Sequence, residues 1–337
     1  MFFKLLTFAG LFALIVISIA LNDFKNALIT PASPDHIVTI EINRGDSFNQ
    51  ITDKLLAQQV DFKPIWFEIL ALQQKAAHKI KAGEYEIPAG LTLPQILAQL
   101  VEGKSKQYSI TFPEGWSLKD ILATLKNNPN IDHTLQPTDD LNVALKIDTA
   151  LMPKSLEGLF FPDTYFFEKH TTDITLLKKA YSKMQRILAK EWAAKAENLP
   201  ILTPYETLIL ASIIEKETGQ GNERPLISGV FIRRLKSGML LQTDPTVIYG
   251  MQERYQGNIS AEDLKTESPY NTYIMNGLPP TPIAMPGKEA IYAALHPDNS
   301  KNIYFVAKGD GTHQFSSTLK DHNQAVNKFQ RKPSAPR

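Results

Sequence analysis

A strand–turn–helix unit occurs three times in the first 125 residues, and it constrains the fold of this chain more than any other feature. Gly45-Asp-Ser47-Phe-x-x-Ile51-x-x-x-Leu55 is matched by Gly90-Leu-Thr92-Leu-x-x-Ile96-x-x-x-Leu100 and by Gly115-Trp-Ser117-Leu-x-x-Ile121-x-x-x-Leu125. An alternating segment precedes each unit: Ile37–Ile42, Glu84–Ile87 and Tyr108–Phe112. The glycine ends a strand and the Ser or Thr caps a helix, whose Phe or Leu, Ile and Leu share one face. Ser47 with Gln50, and Thr92 with Gln95, spell capping boxes. With a helix from Pro64 to Gln74 closing the core, the pattern predicts an α/β domain over 37–126. A plain scaffold and a ligand-gripping module account equally well for these residues.

Before the repeats, Leu5 to Leu21 is apolar apart from Thr7, Gly10 and Ser18, and Lys4 precedes it. Seventeen residues make a helix of roughly 26 Å, just enough to span a thin bilayer core. The competing reading is a cleaved signal peptide with Ser18-Ile-Ala20 as its small-residue site; the run is slightly long for that. Residues 1–21 are therefore expected to be a cytoplasmic tip and uncleaved anchor, and 22–36, with Pro31 and Pro34, a linker. Charge before the span keeps the N-terminus inside and places the remainder outside the membrane. The absence of cysteine suits an oxidising compartment and excludes disulfides, thiolate metal sites and cysteine nucleophiles. A formal net charge of +1 gives no electrostatic case for nucleic acid.

Residues 127–154 are polar and read as a connecting region, and 155–331 as a second domain. It opens with the aromatic segment Glu157-Gly-Leu-Phe-Phe-Pro-Asp163-Thr-Tyr-Phe-Phe. Helices are expected over 173–197, 203–217 and 223–236, with Asp244 capping a short one that starts at Pro245. Pro269 to Pro286 holds five prolines. A hairpin (303–307 with 313–316), a helix (319–329) and a disordered tail (332–337) complete the chain.

The helix ending in Ile213-Ile-Glu-Lys-Glu217 carries the chemistry. Thr203, Pro204 and Glu206 announce its start, and Gly219 is expected to stop it in the left-handed conformation. Leu210, Ile213 and Ile214 share a stripe with Glu217, whereas Glu215 falls on the face of Leu208, Ala211 and Ser212 and is expected to be half solvated. A desolvated carboxyl has a raised pKa, as a general acid near neutral pH requires. The bland alternative is that Glu217, in the last turn, simply reaches water. The sequence has no phosphate loop, dinucleotide fingerprint, Gly-x-Ser-x-Gly elbow or His-Glu-x-x-His helix, and its seven histidines are scattered. His313 is expected to pack or bond locally. Loops rich in Asn, Gln, Asp, Thr and Tyr suit sugars, although ordinary glycosidases need two carboxylates. Asp244 and Asp163 are candidates for the second, and equally for cap and turn residues.

Four motifs, Glu215-Lys-Glu217-Thr, Leu241-Gln-Thr-Asp-Pro-Thr-Val-Ile-Tyr-Gly250, Tyr270-Asn-Thr-Tyr273 and Gly277-Leu-Pro-Pro-x-Pro-Ile283, resemble the endolytic murein transglycosylase family, also called YceG-like. The resemblance runs from the apolar N-terminus to about Phe329. It implies an α+β protein of the inner membrane with one transmembrane helix, its N-terminus cytoplasmic, a LysM-like strand–helix domain and a lysozyme-like catalytic domain in the periplasm. It implies cleavage within nascent peptidoglycan strands, between N-acetylmuramic acid and N-acetylglucosamine, leaving 1,6-anhydromuramyl ends beside the cell-wall synthesis machinery. The family's catalytic glutamate corresponds to Glu217. Gln242, Asp244, Asn271 and Tyr273 are expected to hold the sugars and Asp163 to line the same cleft; neither metal nor cofactor is implied. A hydrolytic muramidase helped by Asp244, or a noncatalytic peptidoglycan-binding scaffold, are the alternatives.

Overall fold

The apolar N-terminal run folds as one helix, α1 (Phe2–Ile29), in a computed structural model that describes residues 2–136, 140–145 and 155–330. Phe8, Leu11, Phe12 and Leu14 to Ile17 are exposed. Residues 8–29 are long and apolar enough to cross a membrane. The helix runs through the first part of the expected linker, where its Asp23 accepts from Lys63 at 2.5 Å and from the Trp66 indole at 3.1 Å.

The chain divides into two units. Unit 1 comprises residues up to Tyr108 together with Phe166–Thr171, and unit 2 comprises Ser109–Tyr165 and everything from Thr172. In unit 1, β1 (Val38–Ile42), α2 (Phe48–Ala57), α3 (Pro64–Gln73) and β2 (Gly83–Ile87) are followed by α4 (Leu93–Glu102) and the start of β3 (Gln107–Phe112). β1 and β2 are antiparallel neighbours with Val38 opposite Ile87 and Ile40 opposite Tyr85. Ile40, Ile51, Leu55, Phe67, Tyr85, Ile96 and Leu100 form one core, so the apolar positions of the first two repeats all point inward. Both capping boxes form.

The third repeat takes a different place from the one expected. Its helix α5 (Leu118–Lys126) belongs to unit 2, where the Gly115 amide donates to Met285 O, the Met285 amide to Trp116 O and the Leu118 amide to Glu157 Oε1. A repeated motif specifies a local strand–helix geometry, but not which core receives its apolar face. After β4 (Ile131–Asp132) and α6 (Leu141–Leu145), unit 2 takes in the start of β5 (Asp163–Glu168), where Phe112 packs on Tyr165. Of the expected connecting region, 137–139 and 146–154 lie outside the described residues, as does the 332–337 tail. Thr134 and Leu135 are docked, donating their backbone amides to Asp173.

Past β6 (Thr171–Thr172) the helices of unit 2 are α7 (Asp173–Ala193), α8 (Pro204–Glu217), α9 (Arg224–Lys236), α10 (Asp244–Met251) and α11 (Lys288–Leu295). α8 is the central one. Every residue from Thr207 to Ile214 is buried, with α7, α9, α10 and α11 against it. A hairpin of β7 (Tyr304–Ala307) and β8 (His313–Ser316) then leads to α12 (Leu319–Phe329).

Candidate active site

α8 starts as its caps predict and ends differently. Thr203 accepts from the Glu206 amide, while the Glu206 carboxylate accepts from Leu202 N rather than closing a box on Thr203. The helix stops at Glu217 because Thr218 is extended (φ −148°, ψ 137°); Gly219 does not adopt the left-handed conformation. Glu217 is thus the last helical residue, where the negative end of the helix dipole also disfavours a carboxylate.

Beyond that end lies a cleft of about 340 Å³ within unit 2, lined by Glu217, Arg234, Gln242, Asp244, Tyr273 and residues of the hairpin and α12. Burial pushes the Glu217 carboxyl up to about 7; a hydrogen bond from the Thr243 hydroxyl opposes this, and the Asp244 charge adds to it. Thr243 is fully enclosed, its amide donating to Thr272 Oγ1 at 3.1 Å, and the Thr246 hydroxyl donates to Thr243 O at 2.8 Å. Because Thr243 donates to Oε1, the transferable proton of the acid form belongs on Oε2. Gln242 sits at φ +53°, a conformation uncommon outside glycine and found where tertiary contacts over-determine the backbone, often at functional sites. The Gln242 amide donates to Thr272 O at 3.0 Å, and Arg234 reaches Gln242 Oε1 at 3.4 Å. Across the cleft the Tyr273 hydroxyl donates to Asp244 Oδ1 at 2.5 Å. His313 bonds through Nδ1 to Glu223 Oε2 at 2.7 Å, a partner distant in sequence rather than a neighbour in the hairpin, and it lines the cleft. No group of three His, Asp or Glu side chains is placed to hold a metal among the described residues.

Carboxyl, amide and aromatic side chains around one polar cleft are a mixture that suits a sugar. The YceG-like family profile matches residues 40–328. This chain belongs to the YceG-like family. It is 31% identical over 324 residues to the endolytic murein transglycosylase of Bacillus subtilis, covering 91% of this chain and 89% of that one. The Streptococcus pneumoniae endolytic murein transglycosylase is 27% identical across 88% of this chain and 59% of its own length. A crystal structure of a yceG-like protein from Listeria monocytogenes aligns with a TM-score of 0.55 at 30% identity, covering 86% of this chain and 99% of that one.

The YceG-like fold brings Glu217, Gln242, Asp244 and Tyr273 to one cleft. Asn271 is elsewhere. It is 1% exposed, and its amide donates to the carbonyls of Asp263, Leu264 and Thr266, so it shapes the loop that presents Tyr273. Asp163 does not line the cleft and is paired with Lys183. Asp244 is the first helical residue of α10 rather than its cap; Thr243 occupies the cap position, and its hydroxyl is committed to Glu217.

Glu215 also differs from expectation. Its side chain is only 6% exposed, ion-paired with Arg224 at 2.9 Å and accepting from Gly287 N at 2.9 Å. Helical spacing showed its face correctly but could not show that α9 and the 287 loop cover that face. Sequence reasoning also missed Thr243 and Arg234. Thr243 was legible only as the residue before the Asp-Pro helix start; that its hydroxyl turns to Glu217 follows from the fold. Glu157 is the second carboxyl pushed up to about 7 by burial, but Leu118 N and the Tyr249 hydroxyl enclose it away from the cleft.

Thr243→Val should move the alkaline limb of the cleavage rate to higher pH, because it removes a hydrogen bond that favours the Glu217 carboxylate. The rate at the optimum should fall about tenfold, the worth of one charge-assisted hydrogen bond. Thr243→Ser should keep both the limb and the rate. A pH profile of strand cleavage for the two variants checks this.

Proposed function

We propose that this chain is an endolytic murein transglycosylase in which Glu217 does both proton transfers. The observation that carries this reading is a single carboxyl, raised to about 7, facing a polar cleft while the neighbouring Asp244 is held by Tyr273. Protonated Glu217 gives its proton from Oε2 to the glycosidic oxygen as that bond breaks. The muramyl C6 hydroxyl then attacks C1, and the Glu217 carboxylate takes up the hydroxyl proton. The nucleophile is already in the substrate, so no second carboxylate is needed to activate water, and the N-acetyl group can shelter the positive centre. Gln242, Asp244 and Tyr273 hold the sugars, and Asn271 acts through the loop it braces.

The strand–helix–helix–strand order of unit 1 supports its reading as a LysM-like module, and the helical surround of α8 supports a lysozyme-like catalytic unit. The exposed apolar helix supports a single-pass anchor in the inner membrane, with the N-terminus cytoplasmic, the cleft periplasmic and nascent strands leaving the synthesis machinery as substrate.

The test is mass spectrometry of peptidoglycan digested with the purified protein. Fragments ending in 1,6-anhydromuramic acid and several disaccharides long are expected. Reducing muramic ends would identify a hydrolase, and no release a binding protein; either overturns the reading.

A further inference from the structure

Arg234 lies on the cleft wall at 7% exposure and forms no ion pair among the described residues. All its hydrogen bonds reach neutral acceptors: Nε donates to Ile303 O at 2.8 Å, and Nη1 to Leu240 O, Leu241 O and Gln242 Oε1 at 3.2, 2.9 and 3.4 Å. Nη2 makes no hydrogen bond among the described residues, and the guanidinium lies over the Tyr304 ring, 5.3 Å from its centroid. The contrast lies within the same helix, where Arg224 is paired with Glu215 and Glu289, and Arg233 with Asp298. Buried charges in proteins are seldom left without a counter-charge. The two carboxyls of the cleft do not supply a lasting one: neither Glu217 nor Asp244 is ion-paired with Arg234 among the described residues, and Glu217 is largely neutral below about pH 7. Beside Arg234 the wall continues with His322, whose buried Nδ1 has no hydrogen-bond partner among the described residues, and with Gln330.

We infer that Arg234 anchors an anion subsite of the cleft, which takes a carboxylate carried on the lactyl arm of the muramyl residue at the cleavage point. A guanidinium N–H edge matches a carboxylate in geometry and charge, whereas the hydroxyl and acetamido groups of the sugar rings leave the cation uncompensated. In an alternating glycan only every second sugar bears that arm. Filling the subsite therefore places the bond after a muramyl residue, and not the bond after its neighbour, over Glu217. Where a stem peptide is attached, the arm's own carboxyl is its amide link and the carboxylate is one on the peptide; a residue without peptide offers the arm's own. The inference rests on the reading of this cleft as the site of strand cleavage.

The test compares kcat/KM on three glycan preparations: intact strands, strands with every carboxyl converted to an amide, and strands stripped of peptide. Wild-type protein should cut intact strands roughly 10–100-fold faster than amidated ones, the range of a hydrogen bond to a charged group. Arg234→Gln should bring that ratio close to one, and Arg234→Lys, which keeps a cation, should retain most of it. The ratio is independent of the folded fraction of each preparation. Stripping frees the arm's own carboxylate, so stripped strands cut as fast as intact ones show that it fills the subsite as well as the peptide's does, and stripped strands cut as slowly as amidated ones place the carboxylate further along the peptide. The proposal is overturned by a wild-type ratio near one, by an unchanged ratio in Arg234→Gln, or by equal loss in both variants, which would assign the effect to the loop contacts. Glu217→Gln run alongside separates the two levels: if it cleaves normally the cleft reading itself fails, whatever Arg234 does.

Discussion

Glu217→Gln is expected to lower strand cleavage by roughly 10²–10⁴-fold, the usual worth of general acid–base catalysis, with the melting temperature nearly unchanged. The amide keeps the shape of the side chain and an acceptor for the Thr243 hydroxyl, but it has no proton to give. Folding should not suffer, because a desolvated acid is replaced by a neutral group. The wild-type pH profile follows from the same burial. The acid form is the proton donor, so kcat/KM should fall as pH rises through about 7, and that limb should be missing from the residual rate of the variant. Release of anhydromuropeptides between pH 5 and 9 measures both. Wild-type activity that keeps rising well above pH 7 would mean that Glu217 works as a carboxylate from the start.

Two residues away, Glu215→Ala is expected to be a stability variant. Its carboxylate joins Arg224 to the Gly287 amide in a region where both charged side chains are less than a tenth exposed. Removing it leaves the buried guanidinium with Glu289, which is 71% exposed, and with Glu114 at 3.7 Å. Breaking a buried pair from one side costs roughly 3 kcal/mol, equivalent to a fall of about 6–12 °C in Tm for a unit of this size. Cleavage per folded molecule should stay well above that of Glu217→Gln. Calorimetry of the two variants should therefore separate them in the opposite order from their activities. A Glu215→Ala protein that melts with the wild type but cannot cut would reverse the assignment of the acid.

Much of the architecture is a local matter and was legible. Ser47, Thr92 and Thr203 start helices where their spacing says they should, because a capping hydrogen bond reaches only three residues. The apolar positions of the first two repeats point inward because helical periodicity leaves them one face. The Glu-Lys-Glu, Gln-Thr-Asp-Pro-Thr and Tyr-Asn-Thr-Tyr segments pointed to the cleft through the family resemblance they carry, and Glu217, Gln242, Asp244 and Tyr273 of them do line it.

What the local pattern could not carry was the identity of each partner. The third repeat has the same strand–helix spelling as the other two, yet its contacts with the 285 loop and Glu157 place it in unit 2. Asn271 has the composition of a sugar ligand, and only the closed turn of 263–266 makes it a brace. By itself, then, the sequence determined the elements, the apolar N-terminal helix, the family and the glutamate to single out. The tertiary structure decided that the Thr243 hydroxyl bonds Oε1 of Glu217, that Glu215 belongs to a buried ion pair, and that Arg234 lies on the cleft wall with no ion pair among the described residues. Capping and periodicity act over a few residues along the chain. Desolvation and charge pairing depend on what folds over a side chain from 26 or 72 positions away, as Thr243 does over Glu217 and Gly287 over Glu215.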